Sequence, residues 1–305
     1  MKVLVVGGCA TRSYVEFFKK CFPEWETRSA LLVQVNEWVE EENEAFLDYV
    51  QSADIFIGLT NREPMNSLIP DGKLNVFLPS FDFFGYHPDS IFLIGIPSPL
   101  ELGVIHSRIA VSAYLAGLSE DDALTLFNRE HFEKLGYFEA FGKHKKMLFE
   151  KFDKFDIDLR ERFESWSENG NFLYTVNHPH TTVFFDIACV AMRNHFPDLL
   201  TGKVVEEARE SVEDYMGDGL VWGMYPEIAE YLDIPQHPEQ WRTSVIRGKK
   251  GNYYDLKSLL TLSYDIYRKN GDFSEATINH LGGQDEILKY AGCTLETSDF
   301  RQRVA

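Results

Sequence analysis

The chain predicts an α/β protein with a parallel-sheet core flanked by helices and an α-rich C-terminal extension. Three observations carry that expectation. Residues 2–18, KVLVVGGCATRSYVEFF, set an apolar run, a glycine turn and an amphipathic segment in direct succession. Two further apolar runs, ADIFIGL at 53–59 and NVFL at 75–78, each end in turn residues. Between the first and second runs, an acid-rich stretch repeats its apolar residues at helical spacing. Strands and helices in this order build a parallel sheet whose functional loops gather at the carboxyl ends of the strands. The core is expected over 1–200, and a helical or irregular extension packed on it over 201–305.

The first element is the one on which the rest depends. Residues 3–6 suit a central strand, Gly7 and Gly8 would permit an unusual backbone, and a helix should begin near Thr11 or Arg12. Cys9 then falls at a helix N-terminus, where free N–H groups and the helix dipole favour a thiolate. The same amides, Gly8 among them, would equally hold a phosphate. A plain structural turn with a small thiol is the third reading. The sequence has neither GxGxxG nor GxxxxGK[ST] here, so dinucleotide and P-loop sites lack their usual support.

The 305 residues are 44% hydrophobic and 14% aromatic, ample for a packed core. Against 48 acidic residues stand 30 basic ones, a formal charge of −18, which argues against coating nucleic acid or anionic membrane. No apolar run reaches the roughly 20 residues that span a bilayer. Together with the absence of a leader-like start, this places the expected location in the cytoplasm. Cysteines 9, 21, 189 and 293 show no metal-ligand spacing, so no metal is expected.

Further along, 33–49 reads as one amphipathic helix. The run 53–59 is the second buried strand, closing on Thr60 and Asn61. PSFDFFGYHP at 79–88 is an aromatic cluster, either a wall of a cleft with Tyr86 and His87 at its lip or a core plug, and it leads to a strand at 91–94. Residues 103–117 read as a helix starting near His106, which crowds His106, Ser107 and Arg108 at one helix start. Ser119 is a natural N-cap for the next helix, with Asp122 at its third position. Lys143 and Lys146 belong to the strongest basic cluster of the chain, on a helix, where they face either solvent or a polyanion. A helical pattern over 152–166 breaks at 167–170. A short strand at 172–176 precedes Asn177-His178-Pro179-His180 and an apolar helix from about 182 to 196. A His at a strand end, stiffened by a proline and backed by a helix, is placed to act as a base. The last long helix is expected over 253–268.

Taken together, the strand-GGC at 3–9, FFGYHPD at 83–89, IHSRIAVSAYLAGLSEDDA at 105–123 and VNHPHTTVFFDIA at 176–188 resemble the WcbI-type polysaccharide biosynthesis family. The resemblance covers about the first two hundred residues and is weaker beyond them. It implies a coenzyme A-binding acetyltransferase acting on polysaccharide or other sugar precursors of capsule or cell surface. Where that family commonly has a GNCQ-like turn, Gly8 and Ala10 flank Cys9 here. A more distant likeness is to SGNH-type hydrolases and acyltransferases, matched in order by Cys9, residues 58–61 and His178. Their usual orienting acid would fall on Thr175.

These resemblances imply acyl transfer from acetyl-CoA to a sugar hydroxyl, with Cys9 and His178 as the reacting pair and Asn61 as an oxyanion donor. His106, Ser107 and Arg108 would hold the phosphates of coenzyme A, with Lys143 and Lys146 as a further cationic group, and Tyr86, His87 and His180 would meet the acceptor. An SGNH-like thiol hydrolase or esterase, and a non-catalytic coenzyme A-binding protein of a glycan assembly pathway, are the alternatives. The acceptor sugar and the oligomeric state are left open.

Overall fold

The computed structural model describes residues 1–58, 63–100, 103–168, 170–235, 240–245, 250–270 and 273–294. The opening stretch folds as its pattern requires. Strand β1 (Lys2–Gly7) leads through Gly8, Cys9 and Ala10 into helix α1 (Thr11–Cys21). Then come β2 (Glu26–Leu31), α2 (Leu32–Glu40), α3 (Glu44–Ser52), β3 (Ile55–Gly58), α4 (Met65–Leu68) and β4 (Leu74–Phe77). The four strands form one sheet in the order β2-β1-β3-β4, and every pair is parallel. The expected fold class is the observed one.

Alternation along the strands gives the sheet two buried faces. Leu4, Val6 and Phe56 pack with Val35, Phe46 and Val50 of α2 and α3. Val3, Val5, Ile55 and Ile57 point the other way and are equally buried. With right-handed crossovers, α1 covers one face and the α2–α3 connection the other.

Two expectations for this region are corrected. The helix read over 33–49 is two helices, because Glu42 takes a left-handed conformation (φ 50°) and the Asn43 side chain caps α3 by accepting from the Phe46 N–H at 3.0 Å. Strand β2, ETRSAL, has no apolar run to announce it. It is an edge strand with one buried residue, Ala30.

The chain continues through β5 (Ser90–Phe92) and β6 (Ile105–Ser107), which pair antiparallel, into α5 (Arg108–Leu115). The helix expected to start near His106 therefore starts after it, with the Ser107 Oγ accepting from the Ala110 N–H. In α6 (Glu120–Leu124) the Ser119 cap and its partner Asp122 sit as expected. Helices α7 (Arg129–Leu135), α8 (Ala140–Asp153) and α9 (Arg160–Ser167) follow, so the pattern over 152–166 is interrupted before Arg160, which bridges Asp153 and Asp158. Next come β7 (Leu173–Thr175), β8 (His178–Pro179), α10 (Thr181–Arg193) and α11 (Gly202–Glu210). The C-terminal part holds α12 (Pro226–Tyr231), the paired strands β9 (Trp241–Arg242) and β10 (Tyr253–Tyr254), α13 (Leu256–Asn270), α14 (Glu275–His280) and α15 (Gly283–Tyr290).

The molecule divides into two compact units. One comprises Met1–Asp82, Lys146–Phe172 and Asn177–Met216; the other comprises Phe83–Lys145, Leu173–Val176 and Gly217–Ala305. Neither unit ends at residue 200. The first holds the parallel sheet with α1 and α10. The second is built on α5, whose Val111, Ala113 and Leu115 pack with Tyr264 and Tyr267 of α13 and Ile287 of α15.

Candidate active site

Helices α1 and α10 pack against one another in the first unit, and their ring contacts fix the direction. Tyr14 meets Phe184 (5.4 Å between centroids), Phe17 meets Phe185 (5.4 Å), and Phe22 meets Phe196 (6.1 Å). Positions rise together along both helices, so the two run the same way and their N-termini share one end. Cys9 lies two residues before α1, and His178 and His180 lie just before α10. The structure thus brings these three expected residues to one end of a helix pair. That end follows the carboxyl terminus of β1, where the chain turns to β2 on one side while β3 lies on the other, a topological switch point where ligands bind in open α/β sheets.

The turn itself is simpler than its glycines suggest. Neither Gly7 nor Gly8 has a positive φ, and a Cβ at Gly8 would meet nothing within 4 Å. Gly8 leaves open space over the turn, while its carbonyl accepts from the Thr11 N–H (3.2 Å) and Oγ1 (2.8 Å). Cys9 is exposed, yet the protein massed around its sulfur raises the thiol pKa, an effect offset in part by its own N–H and that of Ala10. The expectation of a ready thiolate is corrected on that ground: desolvation outweighs the helix N-terminus, and the thiol keeps its proton at neutral pH.

His178 is half-buried, and burial lowers its pKa, so the neutral imidazole is the resting form. Its Nδ1 stands 2.8 Å from Oδ1 of Asn177. An amide oxygen only accepts, so Nδ1–H donates and Nε2 keeps the lone pair a base needs. His180 is also half-buried, precedes α10 directly, and its N–H donates to the Phe172 carbonyl at 2.9 Å. Asp214 finishes the start of α10, its Oδ1 accepting from the Thr181 N–H (3.0 Å) and Oγ1 (2.9 Å). Arg12, exposed in the first turn of α1, lies over the Tyr215 ring at 4.1 Å. Asn177, Asp214, Tyr215 and Arg12 were not singled out from the sequence. Asn177 adjoins His178 and was within reach of local reasoning, whereas Asp214 and Tyr215 arrive from far along the chain.

The remaining expected residues are placed differently. Asn61 lies outside the described residues. His106 is fully buried in the second unit, its Nδ1 3.2 Å from the Tyr267 hydroxyl and its Nε2 3.2 Å from the Ile96 carbonyl, and burial pulls its pKa down to about 4. Ser107 is buried and caps α5. Arg108 donates to the Tyr290 hydroxyl (3.0 Å) and the Leu281 carbonyl (2.9 Å), with its guanidinium 3.9 Å from the Tyr290 ring centroid. A joint phosphate grip by these three is corrected accordingly: two are enclosed and the third is occupied in joining α5 to the C-terminal helices. Tyr86 and His87 are 1% and 2% exposed, so they lie in the core and not at a lip, Tyr86 packing on Phe83 and Phe141. Lys143 and Lys146 project from α8 into solvent, and Lys146 lies 3.8 Å from Glu150.

Two cavities of about 130 and 250 Å³ lie on the α2–α4 side of the sheet. Both share Leu4, and neither is lined by Cys9 or His178. Among the described residues no group of three or more His, Cys, Asp or Glu could hold a metal ion, and no helix is long and apolar enough to cross a membrane.

A family model for WcbI, described as a polysaccharide biosynthesis enzyme, matches residues 2–195. The chain belongs to the WcbI family. No curated protein matches it. A solved structure of WcbI, described as a novel polysaccharide biosynthesis enzyme, aligns with a TM-score of 0.67 over 95% of this chain and 98% of that one, at 14% identity. That structure is described as native protein without a disulfide bond between coenzyme A and one of its cysteines. At this identity the likeness establishes the fold. The family match covers α1 and α10 and both ends of the Cys9/His178 pair.

Proposed function

We propose that this WcbI-family protein moves an acyl group from an acyl-coenzyme A to a hydroxyl of a sugar or polysaccharide precursor. The observation that carries the reading is the shared end of α1 and α10, where an exposed Cys9 thiol just beyond the carboxyl end of β1 and a neutral His178 are found. The description of a solved WcbI structure, which names coenzyme A beside a cysteine in stating that no disulfide joins them there, supports the choice of donor.

Because Cys9 keeps its proton, a base must take it as the sulfur attacks. His178 Nε2 removes the proton, the Cys9 sulfur adds to the thioester carbonyl, and collapse expels coenzyme A thiolate, which recovers the proton from His178. The acceptor hydroxyl then gives its proton to Nε2 and attacks the acyl-cysteine, and the departing Cys9 thiolate takes that proton back from His178. Direct attack of the deprotonated hydroxyl on the thioester uses the same base without the covalent stage. Backbone N–H groups of the turn, with Asn61, would steady the oxyanion, typically ~3 kcal/mol per donor. Arg12 is the cation beside the turn and takes over the anion-binding role once expected of Arg108, while His180 faces the acceptor.

The deciding experiment is intact-protein mass spectrometry after incubation with acetyl-CoA, alongside calorimetry of coenzyme A binding. Wild type should bind coenzyme A and acquire one acetyl group on Cys9. His178→Ala should bind but acylate at least about 100-fold more slowly. Absence of coenzyme A binding would overturn the reading. Binding with transfer that survives Cys9→Ala would select direct attack.

A further inference from the structure

The geometry points to the outer edge of β2 as a self-association site, on which a second copy of this chain adds its own β2 antiparallel and makes the two sheets continuous. Among the described residues β2 pairs with β1 alone. The Glu26 N–H donates to the Met1 carbonyl at 3.0 Å, so positions 26, 28 and 30 turn their backbone groups to β1, and Thr27 and Ser29 turn theirs outward. No described residue takes up those outward groups. The next outward N–H, that of Leu31, is closed off by Oε1 of Gln34 at 3.0 Å. The other edge of the sheet differs. Phe77 of β4 packs on Phe155 at 4.7 Å, and Lys151 reaches Ser80 and Asp82 just beyond that strand.

The order of charges along β2 decides what fits there. A two-fold axis at Thr27 sets Glu26 opposite Arg28 of the second copy and Arg28 opposite its Glu26, two attractive pairs on one face. An axis at Arg28 sets two guanidiniums against each other, and one at Ser29 leaves both charges without an opposite. Both side chains already stand at the α3 face. Arg28 lies over the Tyr49 ring at 4.1 Å, and the Tyr49 hydroxyl lies 3.1 Å from each of the Glu26 and Val3 carbonyls. Within the chain Nη2 of Arg28 meets Oε1 of Glu26 at 2.8 Å, and Lys2 lies 4.0 Å from Glu26. The other guanidinium donors are left for the second copy. On the opposite face, Oγ1 of Thr27 is shielded from solvent and has no hydrogen-bond partner; at the axis it meets the Thr27 hydroxyl of the second copy. A formal charge of −18 on each chain opposes association in general, so a stable contact needs local opposite charges of this kind.

The contact does not depend on the proposed acyl transfer. Because the strands run antiparallel across the axis, the carboxyl ends of the two sheets point opposite ways. The two Cys9 turns therefore lie toward opposite ends of the joined sheet.

Sedimentation of the full chain from about 1 to 100 μM tests the contact. Wild type should pass from monomer to dimer, and deuterium uptake at the Thr27 and Ser29 amides should slow as the dimer forms. Arg28→Glu and Glu26→Arg each make both cross-strand pairs like-charged and should weaken the dimer at least about 10-fold. The double variant Glu26→Arg/Arg28→Glu restores opposite pairs and should regain wild-type dimerisation, a recovery that damage to folding in a single variant does not imitate. A wild type that stays monomeric throughout the range would overturn the proposal. So would a dimer that ignores the single swaps, one that the double swap fails to restore, or one whose Thr27 and Ser29 amides exchange as fast as in the monomer.

Discussion

Oδ1 of Asn177 lies 2.8 Å from Nδ1 of His178, so the residue adjacent in sequence orients the imidazole. An amide holds the tautomer without adding charge. His178 therefore keeps the lowered pKa that burial imposes.

The first prediction concerns that pair. Asn177→Asp places a negative charge beside the ring and favours the imidazolium, which raises the His178 pKa. If the neutral ring is the base of the proposed transfer, the acid limb of the rate profile should move to higher pH. Asn177→Ala should cut the acyl-transfer rate about 10-fold or more while leaving coenzyme A affinity unchanged. Rate against pH, with calorimetry alongside, checks both.

Gly8 offers a sharper separation of folding from ligand access. Its φ is not left-handed and a Cβ meets nothing within 4 Å, so Gly8→Ala should keep wild-type stability within about 0.5 kcal/mol. If acyl-CoA approaches the turn closely, the added methyl should weaken its binding. Chemical denaturation and calorimetry on the same variant read the two effects independently.

Arg108 should behave as a structural residue. Its bonds to Tyr290 and Leu281 and its stacking on Tyr290 predict that Arg108→Ala costs about 1–3 kcal/mol of stability. Coenzyme A affinity should be unchanged in the folded variant. Arg12→Ala should show the reverse, with weaker and less salt-sensitive binding and little change in stability.

His106 predicts a pH dependence of stability. Its pKa falls from an ordinary 6.5 to about 4 on folding. Above pH 6.5 both states hold it neutral and its contribution is fully present. As the pH falls, the unfolded chain takes up a proton that the folded chain refuses until about pH 4, so stability is lost across that window, by about 3 kcal/mol in all. Buried Asp89, whose pKa is raised by desolvation, acts with the opposite sign. The His106 part is therefore read as the difference in slope between wild type and His106→Asn in urea titrations at pH 4 to 7.

Asp89 anchors the second unit. Its carboxylate accepts from the Tyr137 hydroxyl (2.8 Å), the Tyr225 hydroxyl (2.7 Å) and the Ile109 N–H (2.9 Å). Asp89→Ala strands these buried donors and should cost about 3–5 kcal/mol, seen as a lower denaturation midpoint.

Local chemistry alone determined much of this protein. The apolar run at Val3 to Val6, the Ser119 cap with Asp122, and the helical spacing after His180 each act over a few residues, so the elements they predict stand where expected. The parallel order of the sheet followed from the succession of those elements. Edge strand β2 escaped because an edge with one buried residue needs no apolar run, and 33–49 split because only the backbone reveals Glu42 at positive φ.

Tertiary structure decided which polar residues are available. His106, Ser107 and Arg108 form an inviting trio in sequence, but Tyr267, Tyr290 and Leu281, more than 150 residues away, enclose or engage two of them. Cys9 and His178 likewise became neighbours of one helix end only through the rings joining α1 to α10. The sequence names the groups capable of chemistry; burial and partners remote in the chain set their charge and whether a ligand can reach them, because desolvation and hydrogen bonding depend on everything that surrounds an atom.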